Sequence, residues 1–152
     1  MDTTGLTVVR QGMTVVGVPV GTEQFQRDFL EEAVNGEPAE LVRALVPMED
    51  AQADFQILRL SATSRLSHLL RTVPPSITCQ AAANNDALVE WALESFIAGD
   101  GAAAAGLPTP EKALRQAHLP IREGGLGLTS SSSIRGATYI GCHALVLGRV
   151  VA

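Results

Sequence analysis

Aromatic residues are scarce in this chain: four Phe, one Trp and one Tyr, 4% of 152 residues. A core built from it has to be aliphatic. Charged residues make up 18%, below the roughly 25% of ordinary soluble domains, while hydrophobic residues reach 46%. That composition excludes a disordered chain, a collagen and a disulfide scaffold. Cysteine is nearly absent. Cys79 and Cys142 stand far apart, with no Cys-x-x-Cys pair and no histidine at zinc-site spacing. Buried free thiols in a reducing compartment are the expectation. Long apolar runs are missing too. The stretch 136–148 is closed by Arg135 and Arg149, short of the about 20 residues that cross a bilayer. Residues 1–10 lack a basic start followed by an apolar run. An intracellular chain, nuclear or cytoplasmic, with no membrane partner is expected.

The common catalytic signatures are missing as well. There is no Gly-x-Ser-x-Gly, no Gly-Lys-Ser phosphate loop and no His-Glu-x-x-His. No pair of acids sits on a tight turn, as two-metal catalysis requires. Glu31-Glu32 and Glu49-Asp50 are sequence neighbours, which point about 100° apart on a helix, and read as solvent-facing or helix-start charges. No catalytic or metal-ligating residue is assigned.

The formal charge is −5, from 11 basic and 16 acidic residues. It is unevenly placed. Residues 1–54 hold three Arg against ten acids, and residues 55–152 hold eight basic residues against six acids: −7 and +2, adding to −5. The total argues against a free-standing nucleic-acid binder, but the second part is slightly basic.

Short β-branched runs, Leu6–Arg10 and Met13–Val18, flank Gln11-Gly12 and predict a hairpin turning at Gly12. Thr22 predicts the cap of a helix over Glu23–Asn35, and Gly36 its stop. A short helix follows, with Pro38 in its first turn. The segment Asp50–Arg71 predicts one long helix, its stripe running through Phe55, Leu58, Ala62, Leu66 and Leu69. Pro74-Pro75 ends it. Ser76 or Thr78 is the expected cap of the next helix, which runs to about Ala98 with a weak step at Asn84-Asn85. Residues 99–110 read as a flexible surface loop. A helix from Thr109 to His118, an irregular Gly-rich segment and a last helix from Ile134, capped within Ser130–Ser133, complete the chain. Trp91 and His143 are expected in the core and His118 at the surface. The apolar run Leu145–Val151 has no stop signal, which predicts a chain cut from something longer.

On the predicted long helix, Arg65, His68 and Arg71 fall within about 120° of one another, opposite much of the leucine stripe. The group reads either as an ordinary solvent face or as a ridge facing phosphates.

Four segments together resemble the reverse transcriptases of non-LTR (LINE-like) retrotransposons. Residues 12–21, Gly-Met-Thr-Val-Val-Gly-Val-Pro-Val-Gly, are similar to the family's Gly-x-x-apolar-Leu-Gly-x-Pro-x-Gly, with Val16 in place of the usual Leu. Residues 65–75, Arg-Leu-Ser-His-Leu-Leu-Arg-Thr-Val-Pro-Pro, are similar to Arg-x-x-Tyr-Leu-Leu-Arg-x-x-Pro-Pro. Asn85-Asp86 stands where relatives often have His-Asp. Residues 119–128, Leu-Pro-Ile-Arg-Glu-Gly-Gly-Leu-Gly-Leu, are close to Leu-Pro-x-basic-x-Gly-Gly-Leu-Gly-Leu, followed by Ala137–Gly141. The match starts after the polymerase's metal-binding aspartates and covers nearly the whole chain.

The resemblance implies a thumb and post-thumb region: mainly α, a helical thumb-like bundle of about five or six helices with a small N-terminal β-hairpin. It divides the chain into a primer-grip-like hairpin (1–21), a thumb-like region (22–98), the loop (99–110) and a truncated C-terminal helical region (111–152). It implies a fragment or remnant of an RNA-directed DNA polymerase without its own catalytic centre. Gly17, Pro19 and Gly21 would help place the primer end, and Arg65, His68 and Arg71 would meet the phosphates of an RNA–DNA or DNA duplex. No cofactor is expected in this chain, and magnesium is implied only for an intact relative. The implied partners are that duplex and the missing palm and fingers. The competing expectation is a helical protein–protein interaction module that associates, with itself among others, through the apolar C-terminal helix.

Overall fold

The structure is a computed structural model that describes residues 11–48, 50–102 and 111–150, without the side chains of 97–102 and 112. It is mainly helical, with one small antiparallel hairpin. Strand β1 (Gly12–Val15) pairs with β2 (Val18–Gly21) in the register Gly12↔Gly21, Met13↔Val20 and Val15↔Val18. The turn is Val16-Gly17, not Gln11-Gly12. Both residues have positive φ, 50° and 77°, as a two-residue turn matched to the strands' twist demands. Gly12 instead pairs within β1, where an added Cβ would stand 2.3 Å from the ring of Phe25. The predicted strand Leu6–Arg10 lies outside the described residues.

Helix α1 (Glu23–Asn35) starts where Thr22 Oγ1 accepts the N–H of Phe25. Gly36 closes it by donating to the Glu32 carbonyl and also opens α2 (Glu37–Leu45), which carries Pro38 in its first turn. Val46–Met48 form a single 3₁₀ turn.

The predicted long helix is broken. Asp50 caps α3 (Ala51–Ile57), accepting from Ala53 N–H. The chain then widens into a π-helical turn, Leu58–Ala62, passes through turns, and resumes as α4 (Ser67–Thr72). The break coincides with back-bonding hydroxyls. Thr63 Oγ1 donates to the Arg59 carbonyl at 2.6 Å, and Ser64 Oγ to those of Leu60 and Ser61. Such side-chain bonds compete with the helical ladder. The leucine stripe survives the break, because Leu58, Ala62, Leu66 and Leu69 are all buried.

Helix α5 (Pro75–Ala102) runs past the expected end at Ala98, straight through Asn84-Asn85 and into the predicted loop. Pro75 is its first residue, where its missing N–H costs nothing. The Pro74 carbonyl accepts from the amides of Ile77 and Thr78. Neither Ser76 nor Thr78 is the cap, and Thr78 is buried. The rest of the loop, 103–110, and the expected cap Thr109 lie outside the described residues. Helix α6 (Glu111–Ala117) leads into a 3₁₀ turn, Ile121–Glu123. Helix α7 (Ser131–Val150) begins three residues earlier than expected.

Two aliphatic clusters fill the interior. One joins Leu30 and Val34 of α1 to Leu69 and Leu70 of α4 and to Ile77 and Ala81 of α5, with Val18 and Ile134 packed against it. The other joins Val42, Leu45, Leu58, Val89, Leu93, Ala117 and Leu128. Helix α5 supplies side chains to both. Helix α7 packs on α4 and α5.

Candidate nucleic-acid interface

The six residues singled out in the sequence fall on three elements. Gly17 forms the hairpin turn, Pro19 is buried on β2, and Gly21 ends it. Pro19 faces Thr14 across the hairpin, where a two-stranded ribbon tolerates its missing donor. An added Cβ at Gly21 would stand 2.4 Å from the Gln11 carbonyl oxygen, so this close chain approach needs glycine. Each is explained by the hairpin's own geometry.

Arg65, His68 and Arg71 do not share one helix. Arg65 sits in the turns before α4, with a guanidinium nitrogen 3.6 Å from Glu37 of α2. It lines a cavity of about 550 Å³ together with Phe29, Glu32 and Leu66. His68 and Arg71 are exposed on α4 itself. Among the described residues, Arg71 makes no ion pair. The hairpin and α4 meet through the first core cluster, which Val18 joins from β2 and Leu69 and Leu70 join from α4.

The most developed polar arrangement lies elsewhere, at Asn85-Asp86. Asp86 Oδ1 accepts the backbone N–H of Ser131 at 2.7 Å. Its Oδ2 accepts the N–H of Ser132 at 3.0 Å and the hydroxyl of Ser130 at 2.8 Å. Ser130 Oγ in turn accepts the N–H of Ser133, and buried Asn85 donates to Ser131 Oγ at 3.0 Å. A carboxylate from α5 therefore holds the positive end of α7 and satisfies amides a helix start leaves open. The weak step that local propensity marks at Asn84-Asn85 leads directly into a long-range clasp made by Asn85 and Asp86. The signal for it was the run of four serines some 45 positions downstream, which offers amides and hydroxyls to any carboxylate the fold brings near.

A second clasp joins α5 to the Gly-rich segment. His118 Nδ1 lies 3.2 Å from the Leu128 carbonyl, which can only accept, so Nδ1 carries the proton. Its Nε2 lies 3.5 Å from a Glu90 carboxylate oxygen. His118 is thus half-buried and packed in. His143, expected in the core, is exposed on α7, with its ring centroid 4.1 Å from that of Tyr139. Trp91 is 44% exposed, not core. Cys79 is exposed and Cys142 half-buried, so neither is the expected buried thiol. Few helix positions look inward in so small an aliphatic bundle, and Leu88, Val89 and Leu93 already take those beside Trp91.

One electrostatic feature emerges only when α4 and α7 are seen packed together. Neither helix contains an acidic residue. Their ionisable side chains are His68 and Arg71 on α4, and Arg135, His143, Arg149, Tyr139 and Cys142 on α7. Arg135 donates to the Ser132 carbonyl beside the clasp. The pair therefore carries basic side chains and no acidic ones of its own, in a molecule of net negative charge. Among the described residues, no three His, Cys, Asp or Glu side chains converge as a metal ion needs. No helix among them is long and apolar enough to cross a membrane. No protein-family model, curated protein or solved structure matches the chain.

Proposed function

We infer that this chain is a non-catalytic helical module of the kind its sequence resembles, the thumb and post-thumb region of a LINE-like reverse transcriptase. Its task is to lie against the phosphate backbone of a template–primer duplex. One observation carries the reading. Three of the segments that bear the resemblance interlock. The second forms α4, the fourth leads into α7, which packs on α4, and Asp86 of the third clasps the start of α7. The product of that interlock is the acid-free pair α4–α7, with His68 and Arg71 outward on α4. The motif residues Leu69, Leu70 and Asp86 hold the pair together, and the basic side chains are left for the ligand. Arg65 contributes less, because Glu37 already engages it.

Phosphate contacts of this kind are sequence-independent and weaken linearly in log K against log salt, with a slope of about −0.9 per phosphate neutralised on a duplex. A fluorescence-anisotropy titration on an RNA–DNA hybrid across a salt series tests it. Weak binding is expected at low salt. His68→Ala with Arg71→Ala should reduce affinity and flatten the slope by about one unit, for the phosphate contact of Arg71. Absence of binding at the lowest salt, or binding indifferent to that double substitution, rejects the reading.

A further inference from the structure

The exposed side of α7 remains to be explained, and it has nothing to offer a phosphate. From residue 143 to residue 150 every side chain is exposed. At 100° per residue, Ile140, Gly141, Ala144, Leu145, Leu147 and Gly148 share an arc of about 160°; its Ile140–Leu147 flank points away from Ile134, which packs on the first core cluster, and its Leu145 flank lies one to three turns beyond that packed part of the helix. Ile140 is 68% exposed, Leu145 80% and Leu147 58%. Among the described residues, an added Cβ at Gly141 or Gly148 would have no atom within 4 Å, so none of them lies over the arc. Arg135, His143 and Arg149 project about 120° or more from its centre. The arc exposes on the order of 500 Å² of apolar surface, within the roughly 300–600 Å² of the largest patch on a typical monomer, a size that is often functional.

We propose that this arc is an isologous dimer interface, covered by α7 of a second copy running antiparallel across a two-fold axis. Three considerations select that occupant. The arc carries no charge of either sign, so a charged partner surface would be buried unpaired there, at a cost of several kcal/mol per ion. A second copy brings the same uncharged arc and leaves no polar side chain stranded. Covering the arc on two copies removes on the order of 1,000 Å² from water, about where specific interfaces begin, so the dimer is weak and concentration-dependent. The relief also fits: Ile140 and Leu147 stand on one flank, with Ala144 and Gly148 low beside them, so large side chains of one helix can settle over small ones of the other. A two-fold contact closes on itself and stops at two copies. The proposal is independent of the duplex reading, because it uses none of the basic side chains and needs no nucleic acid.

Sedimentation equilibrium of the full chain across a concentration series into the high micromolar range is the test. A monomer–dimer equilibrium is expected, with Leu145→Glu plus Leu147→Glu raising the dissociation constant at least tenfold while the circular dichroism stays helical. Val16→Glu, on the equally exposed hairpin turn, should leave the equilibrium unchanged. The proposal is overturned by a monomer at every concentration. Open-ended oligomers overturn it as well, as does a dimer that responds to Val16→Glu and not to the α7 pair. Should the α7 pair unfold the chain, Ala144→Arg alone, at an exposed position, has to weaken the dimer.

Discussion

Asp86 joins two helices through a single side chain. Its carboxylate accepts three hydrogen bonds from the start of α7, two of them from backbone amides, at 2.7–3.0 Å. The group is charged, half-buried and reciprocated, which places it among the stronger hydrogen bonds. Asp86→Ala strips the cap and leaves the amides of Ser131 and Ser132 without that acceptor, so it should cost about 2 kcal/mol. Asp86→Asn keeps an oxygen acceptor and loses the charge, so it should fall between Ala and the parent. Urea denaturation measures both. A neutral Asp86→Ala would mean that the clasp does not hold α7. The residue was visible in the sequence as half of a motif, but its role was not. Local propensity at Asn84-Asn85 speaks only of neighbours, and the partners that settle the matter arrive from α7. The same holds for His118 and His143, whose expected surroundings are exchanged in the fold. His143 meets Tyr139, four residues earlier on the same helix, but the partners that hold His118, the Leu128 carbonyl and Glu90, lie ten and 28 positions away, beyond any local pattern.

At the level of elements, local chemistry was legible wherever a cap or a proline acts on its own helix. Thr22, Asp50, Pro38 and the Gly36 stop perform as their residue types predict. What failed was continuity. An unbroken apolar stripe reads as one helix, yet a π-helical turn and two back-bonding hydroxyls keep the stripe buried while splitting α3 from α4. Periodicity reports which side chains are buried, not whether the ladder between them is intact. The break is what separates Arg65 from His68 and Arg71. The hairpin carries a parallel lesson. The turn sits at Val16-Gly17, although a β-branched residue at φ 50° is strained. Asparagine tolerates that conformation and prefers this turn. Val16→Asn should therefore stabilise the chain by about 1 kcal/mol, and it also removes an 88% exposed apolar side chain. A thermal melt reads it out, and a loss of stability would show that the turn is not of this type.

For the whole molecule, the question is what a hydrophobic content of 46% is for. Two aliphatic clusters account for part of it, and α5 spans both. The outer half of α7 accounts for another part and joins neither cluster. A helix that is apolar nearly all round is normally buried, and the proposed dimer would bury it. This separates two contributions to stability that a truncation can tell apart. Ending the chain after Cys142 removes only exposed residues among those described, so at high dilution its unfolding free energy should match the parent within about 0.5 kcal/mol. At high concentration the two should diverge. Association of the native state adds stability by mass action, so the melting temperature of the full chain should climb with concentration while that of the shortened chain stays level. A shortened chain already less stable at high dilution would place the outer half of α7 in the monomer's own packing. A full chain whose melting temperature ignores concentration would remove the dimer. The duplex reading makes an orthogonal demand on the same two proteins, since His68 and Arg71 lie on α4 and Arg135 lies in the retained half of α7. Binding of the RNA–DNA hybrid should therefore survive the truncation, less any contribution from His143 and Arg149, which separates the two readings in one pair of samples.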